Sequence, residues 1–320
     1  MVFDSRSVPT EIQAVFDIST VLAELRAARS VWRQSQNRSM EPGGRELPAR
    51  ETLQAIVRDL RGILFPMRLG PPELRQEVED FYVGVTLDKV LHTLMGQVRL
   101  ELLHSVRHAH LGVRDVDVRA WHIAHEFAKS LPRIRQLLDT DVLAAYQGDP
   151  AAHSVDEVLL CYPGVAAVIN HRLAHVLYEL GATMLARLIS ELAHSETGID
   201  IHPGASIGSA FFIDHGTGVV IGETAVIGDR VRIYQAVTLG AKRFPTDENG
   251  HLKKGLPRHP RIEDDVVIYA GATVLGRVTI GRGATIGGNL WVTHDVPAGA
   301  NLSQARSRDD SAQQTAPAET

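Results

Sequence analysis

The sequence has 320 residues, a hydrophobic content of 44%, a charged content of 22% and a formal net charge of −5 at pH 7. This length favours two structural units, and the acidic balance argues against a nucleic-acid partner, which usually requires a basic domain. A single cysteine, Cys161, excludes an intrachain disulfide, and neither a signal core nor an apolar run of membrane length is present. We therefore expect a cytoplasmic protein with no membrane partner, with Cys161 buried among its apolar neighbours.

The first part of the chain, up to about residue 196, has the apolar periodicity of amphipathic helices. Turn sequences interrupt it, for example Pro42-Gly43-Gly44 and Gly148-Asp149-Pro150. Ser154 and Glu157 have the spacing of a capping box, which predicts the start of a helix. We predict a variable helical extension with a flexible joint over 1–70 and a helical domain over 71–196. The predicted helices lie near 10–35, 50–65, 73–108, 115–130, 133–147, 154–162, 164–180 and 182–195.

From about residue 199 the apolar period changes to six. Ile201, Ile207 and Ile213 follow this step, and a longer series keeps it from Ile262 to Val292. A strict period of six fits neither an α-helix nor an alternating strand, but it is typical of a parallel β-helix in which three hexapeptides form one triangular coil. We therefore predict an α+β fold, with a β-helix catalytic domain over 197–302 and a polar, disordered tail over 303–320.

Two irregularities interrupt the repeat. Eight residues instead of six separate Ile213 from Ile221, so two residues are inserted in the segment 214–218. A much longer step, from Leu239 to Ile262, predicts an extruded, polar and basic loop at 241–259. Because loops on a rigid scaffold often carry function, we expect both breaks to belong to a functional site.

Polar residues near these breaks suit the chemistry of hydroxyl activation. A histidine is the natural general base near neutral pH, and it needs a carboxylate to orient its ring and balance its charge. His215, at the two-residue insertion, meets this need with Asp200 if adjacent turns of the coil bring the two residues together. Arg258, at the end of the extruded loop, is suited to bind a carboxylate through two hydrogen bonds.

Histidines also raise the alternative of a metal site. His202, His215 and His259 could bind zinc, as in hexapeptide-repeat carbonic anhydrases, whose ligands include a His-x4-His pair. The repeat region contains no such pair, so we predict no metal. His171 and His175 have the spacing of a helical metal pair but lack the glutamate of a His-Glu-x-x-His motif, so we predict that they mark a packing face.

Five segments together resemble the serine O-acetyltransferases of cysteine biosynthesis, in the branch with a long helical N-terminal region. The resemblance covers roughly residues 135–302. The segments are Asp141–Ala151 (DVLAAYQGDPA), Asp156–Gly164 (DEVLLCYPG), Thr197–Gly208 (TGIDIHPGASIG), Phe212–Gly228 (FIDHGTGVVIGETAVIG) and Arg258–Ile262 (RHPRI).

The resemblance implies a left-handed β-helix that transfers acetyl from acetyl-CoA, a co-substrate and not a bound cofactor, to the hydroxyl of L-serine. It also implies active sites at the interfaces of a homotrimer, of which two can pair as a hexamer. His215 matches the catalytic base and Asp200 its carboxylate partner. Asp149, Asp214, Glu223, Arg258 and His259 match residues around the serine, and Gly240, Ala270, Gly271, Gly287 and Gly288 would line the coenzyme A groove.

Two alternative functions and one possible protein partner are considered at this stage. A related acetyltransferase acting on another hydroxyl, of homoserine or a sugar, is the main alternative, and Asp149 in the helical domain argues against it. A non-catalytic scaffold is the second, and the set of Asp200, His215 and Arg258 argues against that. In this family a C-terminal isoleucine docks the cysteine-forming sulfhydrylase, but this chain ends in Thr320, so we do not expect that complex.

Overall fold

The structure is a computed structural model that describes residues 18–36, 47–109, 115–243 and 246–303. It divides into two compact units, Met1–Glu46 and Leu47–Thr320. The described part of the first unit contains one helix, α1 (Ile18–Ser35), which has no buried residue. The predicted tail beyond residue 303 and most of the predicted flexible joint, at 37–46, lie outside the described residues.

The second unit begins with helices that enclose one apolar core. They are α2 (Arg50–Leu64), α3 (Pro66–Leu69), α4 (Glu79–Ala109), α5 (Asp115–Gly148), α6 (Val155–Cys161), α7 (Pro163–Glu179) and α8 (Thr183–Thr197), with a 3₁₀ turn at Gln76–Val78. α2, which the sequence analysis assigns to the extension, packs on α4 and α8 and buries Leu53 and Leu60 completely. Across the described ranges, no helix has both the length and the apolarity to cross a membrane.

α5 differs from the sequence prediction in one respect. The predicted break near Pro132 is absent, and the helix continues through it. Pro132 lies on the exposed side, where water can satisfy the carbonyl that loses its helical partner. Leu131 and Ile134, on the opposite side, are buried in the core. The apolar stripe on both sides of the proline therefore keeps the helix continuous.

Three parallel sheets of short strands follow, and they form the sides of a triangular prism. The first sheet contains β1 (Asp200–Ile201), β4 (Val220–Ile221), β7 (Thr238–Gly240), β10 (Thr273–Leu275) and β13 (Trp291–Val292). The second contains β2 (Ser206–Ile207), β5 (Val226–Ile227), β8 (Arg261–Ile262) and β11 (Thr279–Ile280). The third contains β3 (Phe212–Ile213), β6 (Arg232–Ile233), β9 (Val267–Ile268), β12 (Thr285–Ile286) and β14 (Asn301–Leu302).

The register of these sheets follows the hexapeptide period. Ile201 pairs with Ile221, and Ile221 with Leu239, while Val274 pairs with both Leu239 and Val292. All five side chains are buried inside the prism, and burial of each contributes about 1.5–3 kcal/mol. The predicted stacking of aliphatic residues on their counterparts one coil away is confirmed, and with it the α+β fold.

A buried ion pair joins the helices to the first coil. Arg172 of α7 donates to the Asp141 carboxylate of α5 at 2.8 and 2.9 Å, and both side chains are buried. Arg172 also donates to the carbonyls of Ile207 and Gly208, at 2.9 and 2.6 Å, and Asp141 accepts the Phe211 amide at 2.9 Å. This joint fixes the end of α5, and the turn that follows it, against β3.

Candidate active site

The residues predicted for the site lie at two different edges of the prism. The His215 edge joins the third sheet to the first, and the Arg258 edge joins the first sheet to the second. The His215 edge consists of residues 214–219, 234–237, 269–272 and 287–290. The Arg258 edge consists of residues 202–205, 222–225, 241–243, 246–260 and 276–278.

His215 stands in the turn that contains the two inserted residues. Its φ of 58° places it in the left-handed region, which is uncommon for a residue with a side chain. The ring is 73% exposed, and its Nε2 lies 3.9 Å from Oδ1 of Asp214. The imidazole is therefore accessible and close to a carboxylate, as a general base requires.

Arg232, on β6, is a functional candidate that the sequence analysis missed. It donates to Oδ2 of Asp214 at 2.9 Å, and its guanidinium lies over the rings of Phe212 and Tyr234, 5.0 and 4.9 Å from their centroids. These contacts fix the Asp214 carboxylate beside His215. An isolated arginine on a strand has the appearance of ordinary surface charge, so no local pattern pointed to it.

Asp149 reaches the same edge from the turn after α5. Its Oδ2 accepts the hydroxyl of Tyr162 at 2.5 Å, and Oδ1 accepts the Ala151 amide at 2.8 Å. The hydrogen bond from Tyr162 lowers the pKa of Asp149 most, and the bond from the Ala151 amide lowers it further. The nearby Arg232 and His215 also lower this pKa. The hydrogen bond to Asp149 raises the pKa of Tyr162 to about 12. The helical domain thus supplies an ionised carboxylate to the His215 edge, held by a tyrosine that the sequence analysis did not assign to the site.

Asp200 is not in contact with His215 in the single chain. Its backbone amide donates to the Val219 carbonyl at 2.9 Å, so its main chain adjoins the His215 turn. Its carboxylate, however, lies 3.7 Å from Arg187 of α8. Asp200 also lies near Glu191 and His194: a carboxylate oxygen or ring nitrogen of each of Asp200, Glu191 and His194 lies within 4.8 Å of the other two. The carboxylate beside the His215 ring is instead Asp214.

The Arg258 edge brings together two of the predicted residues. Arg258 donates to Oε2 of Glu223 at 2.7 Å, and Tyr178 of α7 donates to Oε1 of the same carboxylate at 3.0 Å. Although partial burial raises the pKa of Glu223, these two hydrogen bonds lower it on balance. Glu223 is therefore an ionised carboxylate that holds the arginine.

His259 is the other predicted residue at this edge, and it is buried. Its Nδ1 accepts the backbone amide of Thr224 at 3.0 Å, so the neutral ring carries its proton on Nε2. Burial, and then the nearby Arg258, lower the pKa of His259 to about 4. Thr224 also accepts the amides of Arg258 and His259 at 2.9 and 3.1 Å. His259 is thus suited to donate a hydrogen bond and not to act as the base.

A basic pocket of about 670 Å³ lies between the extruded loop and the later coils of this edge. Its cationic lining residues are Lys242, Arg243, Lys253, Lys254, Arg258 and Arg277. Gly240, at the end of β7, accepts the Gly276 amide at 2.9 Å beside it. The other residues predicted for the coenzyme A groove, Ala270, Gly271, Gly287 and Gly288, belong to the His215 edge.

Two further predictions concern Cys161 and the histidines considered for zinc. Cys161 is exposed, so the prediction of burial was wrong: it ends the short helix α6, which buries Val158 and Leu159 and turns Leu160 and Cys161 outward. Of the three histidines considered for zinc, His202 and His259 lie at the Arg258 edge and His215 at the other, so one chain does not gather them.

The sequence matches a known family model and is similar to known proteins. Residues 259–294 match the family of bacterial transferase hexapeptides (six repeats). The chain is 60% identical to the plasmid serine acetyltransferase of Synechococcus elongatus over 82% of this chain and 84% of that protein. It is 51% identical to the serine acetyltransferase of Bacillus licheniformis over 51% of this chain and 71% of that protein.

Solved structures of serine acetyltransferases are similar to this chain. Serine acetyltransferase 1 of Entamoeba histolytica in complex with L-cysteine has a TM-score of 0.68 and 40% identity, over 80% of this chain and 87% of that chain. The enzyme of Neisseria gonorrhoeae in complex with serine has a TM-score of 0.51 and 30% identity, over 78% and 94%. The predicted fold class, a helical N-terminal domain followed by a left-handed β-helix of hexapeptide repeats, is confirmed.

Proposed function

Since the chain belongs to the serine acetyltransferase family, we propose that it transfers the acetyl group of acetyl-CoA to the hydroxyl of L-serine at a site shared by two protomers. The products are O-acetyl-L-serine and CoA, and the reaction is the first step of cysteine biosynthesis. One observation supports a site shared by two protomers. His215, Asp149 and Asp214 lie at one edge of the prism, whereas Arg258 and His259 lie at another.

The two edges offer complementary chemistry for one amino acid. Asp149 and Asp214 suit the ammonium group of serine, and Arg258 suits its carboxylate. His215, between these charges, suits the hydroxyl. Because edges of one prism face away from each other, a homotrimer in which the His215 edge of one protomer meets the Arg258 edge of the next completes the site. Each trimer would then contain three equivalent sites.

The chemical steps follow from these positions. Nε2 of His215 takes the hydroxyl proton as the serine oxygen attacks the thioester carbonyl, and a tetrahedral intermediate forms. The C–S bond then breaks, the acetyl group stays on the serine oxygen, and the imidazolium gives its proton to the CoA thiolate. His259, neutral and protonated on Nε2, donates a hydrogen bond in this site. Asp200 turns from Arg187 towards the imidazolium and steadies its charge, while Asp214 holds the ammonium group.

The basic pocket at the Arg258 edge suits acetyl-CoA. Its lysines and arginines match the phosphate groups of CoA, which are the main charges of that co-substrate. The pocket adjoins Arg258, so an acyl-CoA anchored there directs its thioester towards the serine site. Ala270, Gly271, Gly287 and Gly288 lie on the His215 edge; in the proposed trimer that edge of the adjacent protomer would face the pantetheine arm.

A thiol-release assay tests the function. Purified protein with acetyl-CoA should release CoA thiol when L-serine is added, and much less with homoserine or threonine. Release with homoserine and not with serine would redirect the proposal to another hydroxyl acceptor.

Mixed oligomers test the shared site. His215→Ala and Arg258→Ala should each be impaired alone, but co-expression should restore about a quarter of the wild-type activity. On random mixing, one site in four pairs two intact edges. Co-expressed His215→Ala and Asp149→Asn, both altered at one edge, serve as the matched control and should restore none. If the first mixture gives no restoration, the site lies within a single protomer.

A further inference from the structure

We infer that Tyr178, in α7 of the helical domain, positions the Arg258 guanidinium for the serine carboxylate by holding Glu223 between them. The inference rests on the proposed function and adds a residue to the serine site from outside the β-helix. It makes the helical domain responsible for part of the selection of an amino-acid substrate.

The geometry is a chain of two hydrogen bonds through one carboxylate. The Tyr178 hydroxyl donates to Oε1 of Glu223 at 3.0 Å, and Arg258 donates to Oε2 at 2.7 Å. Each carboxylate oxygen thus has its own donor. Removal of the hydroxyl leaves Oε1 without this restraint, and the carboxylate can rotate and carry the guanidinium with it.

The ring of Tyr178 has little freedom to move. It lies edge-on to His202, with an interplanar angle of 81° and centroids 5.7 Å apart. It also packs on Gly204, where an added Cβ would lie 3.1 Å from the tyrosine ring. A ring confined in this way holds its hydroxyl at one place, which is what a positioning residue requires.

Arg258 needs such a restraint because it belongs to the extruded loop. Its backbone amide is anchored on Thr224, but its side chain makes its other hydrogen bond, at 3.3 Å, to the Leu256 carbonyl of the same loop. Glu223, which follows β4, is therefore the link from the guanidinium to the rigid scaffold. Burial, and then the hydrogen bond to Glu223, raise the pKa of Tyr178, so the hydroxyl remains a donor at neutral and moderately alkaline pH.

Tyr178→Phe tests the inference, because it removes the hydroxyl and keeps the ring. We expect the serine KM to rise by about tenfold, the size of one hydrogen bond to a charged group, with kcat, the acetyl-CoA KM and the melting temperature little changed. L-Serinamide, which lacks the carboxylate, separates positioning from general disturbance. Its kcat/KM should not change, so the preference for serine over serinamide should fall by about tenfold.

Two further variants complete the test. Tyr82→Phe, in α4 and next to Gly62, is the matched control and should leave both substrates unaffected. In an Arg258→Ala background, Tyr178→Phe should lower kcat/KM for serine no further, since the residue it positions is gone. If Tyr178→Phe melts early, Glu223→Gln replaces it, with the same selective loss for serine expected.

The outcomes separate the two proposals. If the wild-type protein releases no thiol with serine, the proposed function fails. If it does so normally, but Tyr178→Phe reduces serine and serinamide equally or changes neither, the positioning role alone is overturned. Additive losses in the Arg258→Ala background would also overturn it.

Discussion

The two edges that carry the site differ in how much the chain organises them. At the Arg258 edge, His259 is buried and Thr224, Glu223 and Tyr178 bind the segment through hydrogen bonds of 2.7–3.1 Å. At the His215 edge the imidazole is 73% exposed, and its nearest carboxylate oxygen is 3.9 Å away. One edge is thus preorganised by hydrogen bonds within the chain, whereas the other presents the proposed base, which a second protomer encloses in the proposed trimer.

The largest effect is expected at the exposed base. His215→Ala should lower kcat by about 10²–10⁴, the usual contribution of a general base. The melting temperature should change little, because the ring is 73% exposed. Thiol release and thermal unfolding measure the two quantities.

The backbone at this position calls for its own control. Since φ is 58° at His215, and asparagine tolerates the left-handed region better than alanine, His215→Asn separates loss of the base from backbone strain. A kcat near that of the wild type in either variant would remove His215 from the mechanism.

Arg258 should affect binding more than turnover. Arg258→Ala should raise the serine KM by about tenfold to a hundredfold, since a charged hydrogen-bonded pair is lost. The acetyl-CoA KM should rise less, because other cations line the basic pocket. Steady-state kinetics with each substrate varied in turn separates these effects.

Arg258→Lys keeps the charge but not the planar fork, so the serine KM should recover only partly. Full recovery of the serine KM would contradict two-pronged binding of the carboxylate.

The two aspartates near His215 should divide between kcat and KM. Asp200→Asn should lower kcat by about tenfold, because it removes the charge that steadies the imidazolium. Asp214→Asn should raise the serine KM by about as much, because Arg232 holds this carboxylate for the ammonium group. The same kinetic assay measures both. If Asp214→Asn lowers kcat and Asp200→Asn does not, Asp214 is the partner of the base and Asp200 belongs to the Arg187 ion pair.

The sequence predicted those parts of the molecule that repeat or that have a local signature. The step of six from Ile201 onwards predicted the coils and their register. Ser154 and Glu157 predicted a helix start, and Ser154 accepts the Glu157 amide at 3.0 Å. These features need only near neighbours in the sequence, or a constant period.

Contacts between distant segments could not be predicted in this way. Tyr178 lies 45 residues before Glu223, and Arg172 lies 31 residues after Asp141. No period connects these pairs, because packing of helices on the first coil brings them together. The pairing of Asp200 with His215 was predicted from general-base chemistry as well as from the resemblance, and the single chain shows Asp200 at Arg187 instead. The proposed contact with a second protomer leaves no signal in the pattern of one chain, so a site closed by it could not be predicted from that pattern.

The smallest expected effect concerns the pH dependence of stability at the preorganised edge. The folded pKa of His259 is about 4, whereas an unfolded histidine titrates near 6.5. Between these pH values the His259 ring is protonated in the unfolded chain but neutral in the folded chain. Stability is therefore lost as the pH falls from about 6.5 to about 4. With solvent screening allowed for, the loss should be on the order of 1 kcal/mol.

Denaturant unfolding of the wild type and His259→Gln at pH 7 and 4.5 measures this loss of stability, and the variant should lose less. His251→Gln, at a ring that is 81% exposed in the extruded loop, is the control and should follow the wild type. Equal losses in all three proteins would mean that His259 is solvated in solution, and the two edges would then be equally open.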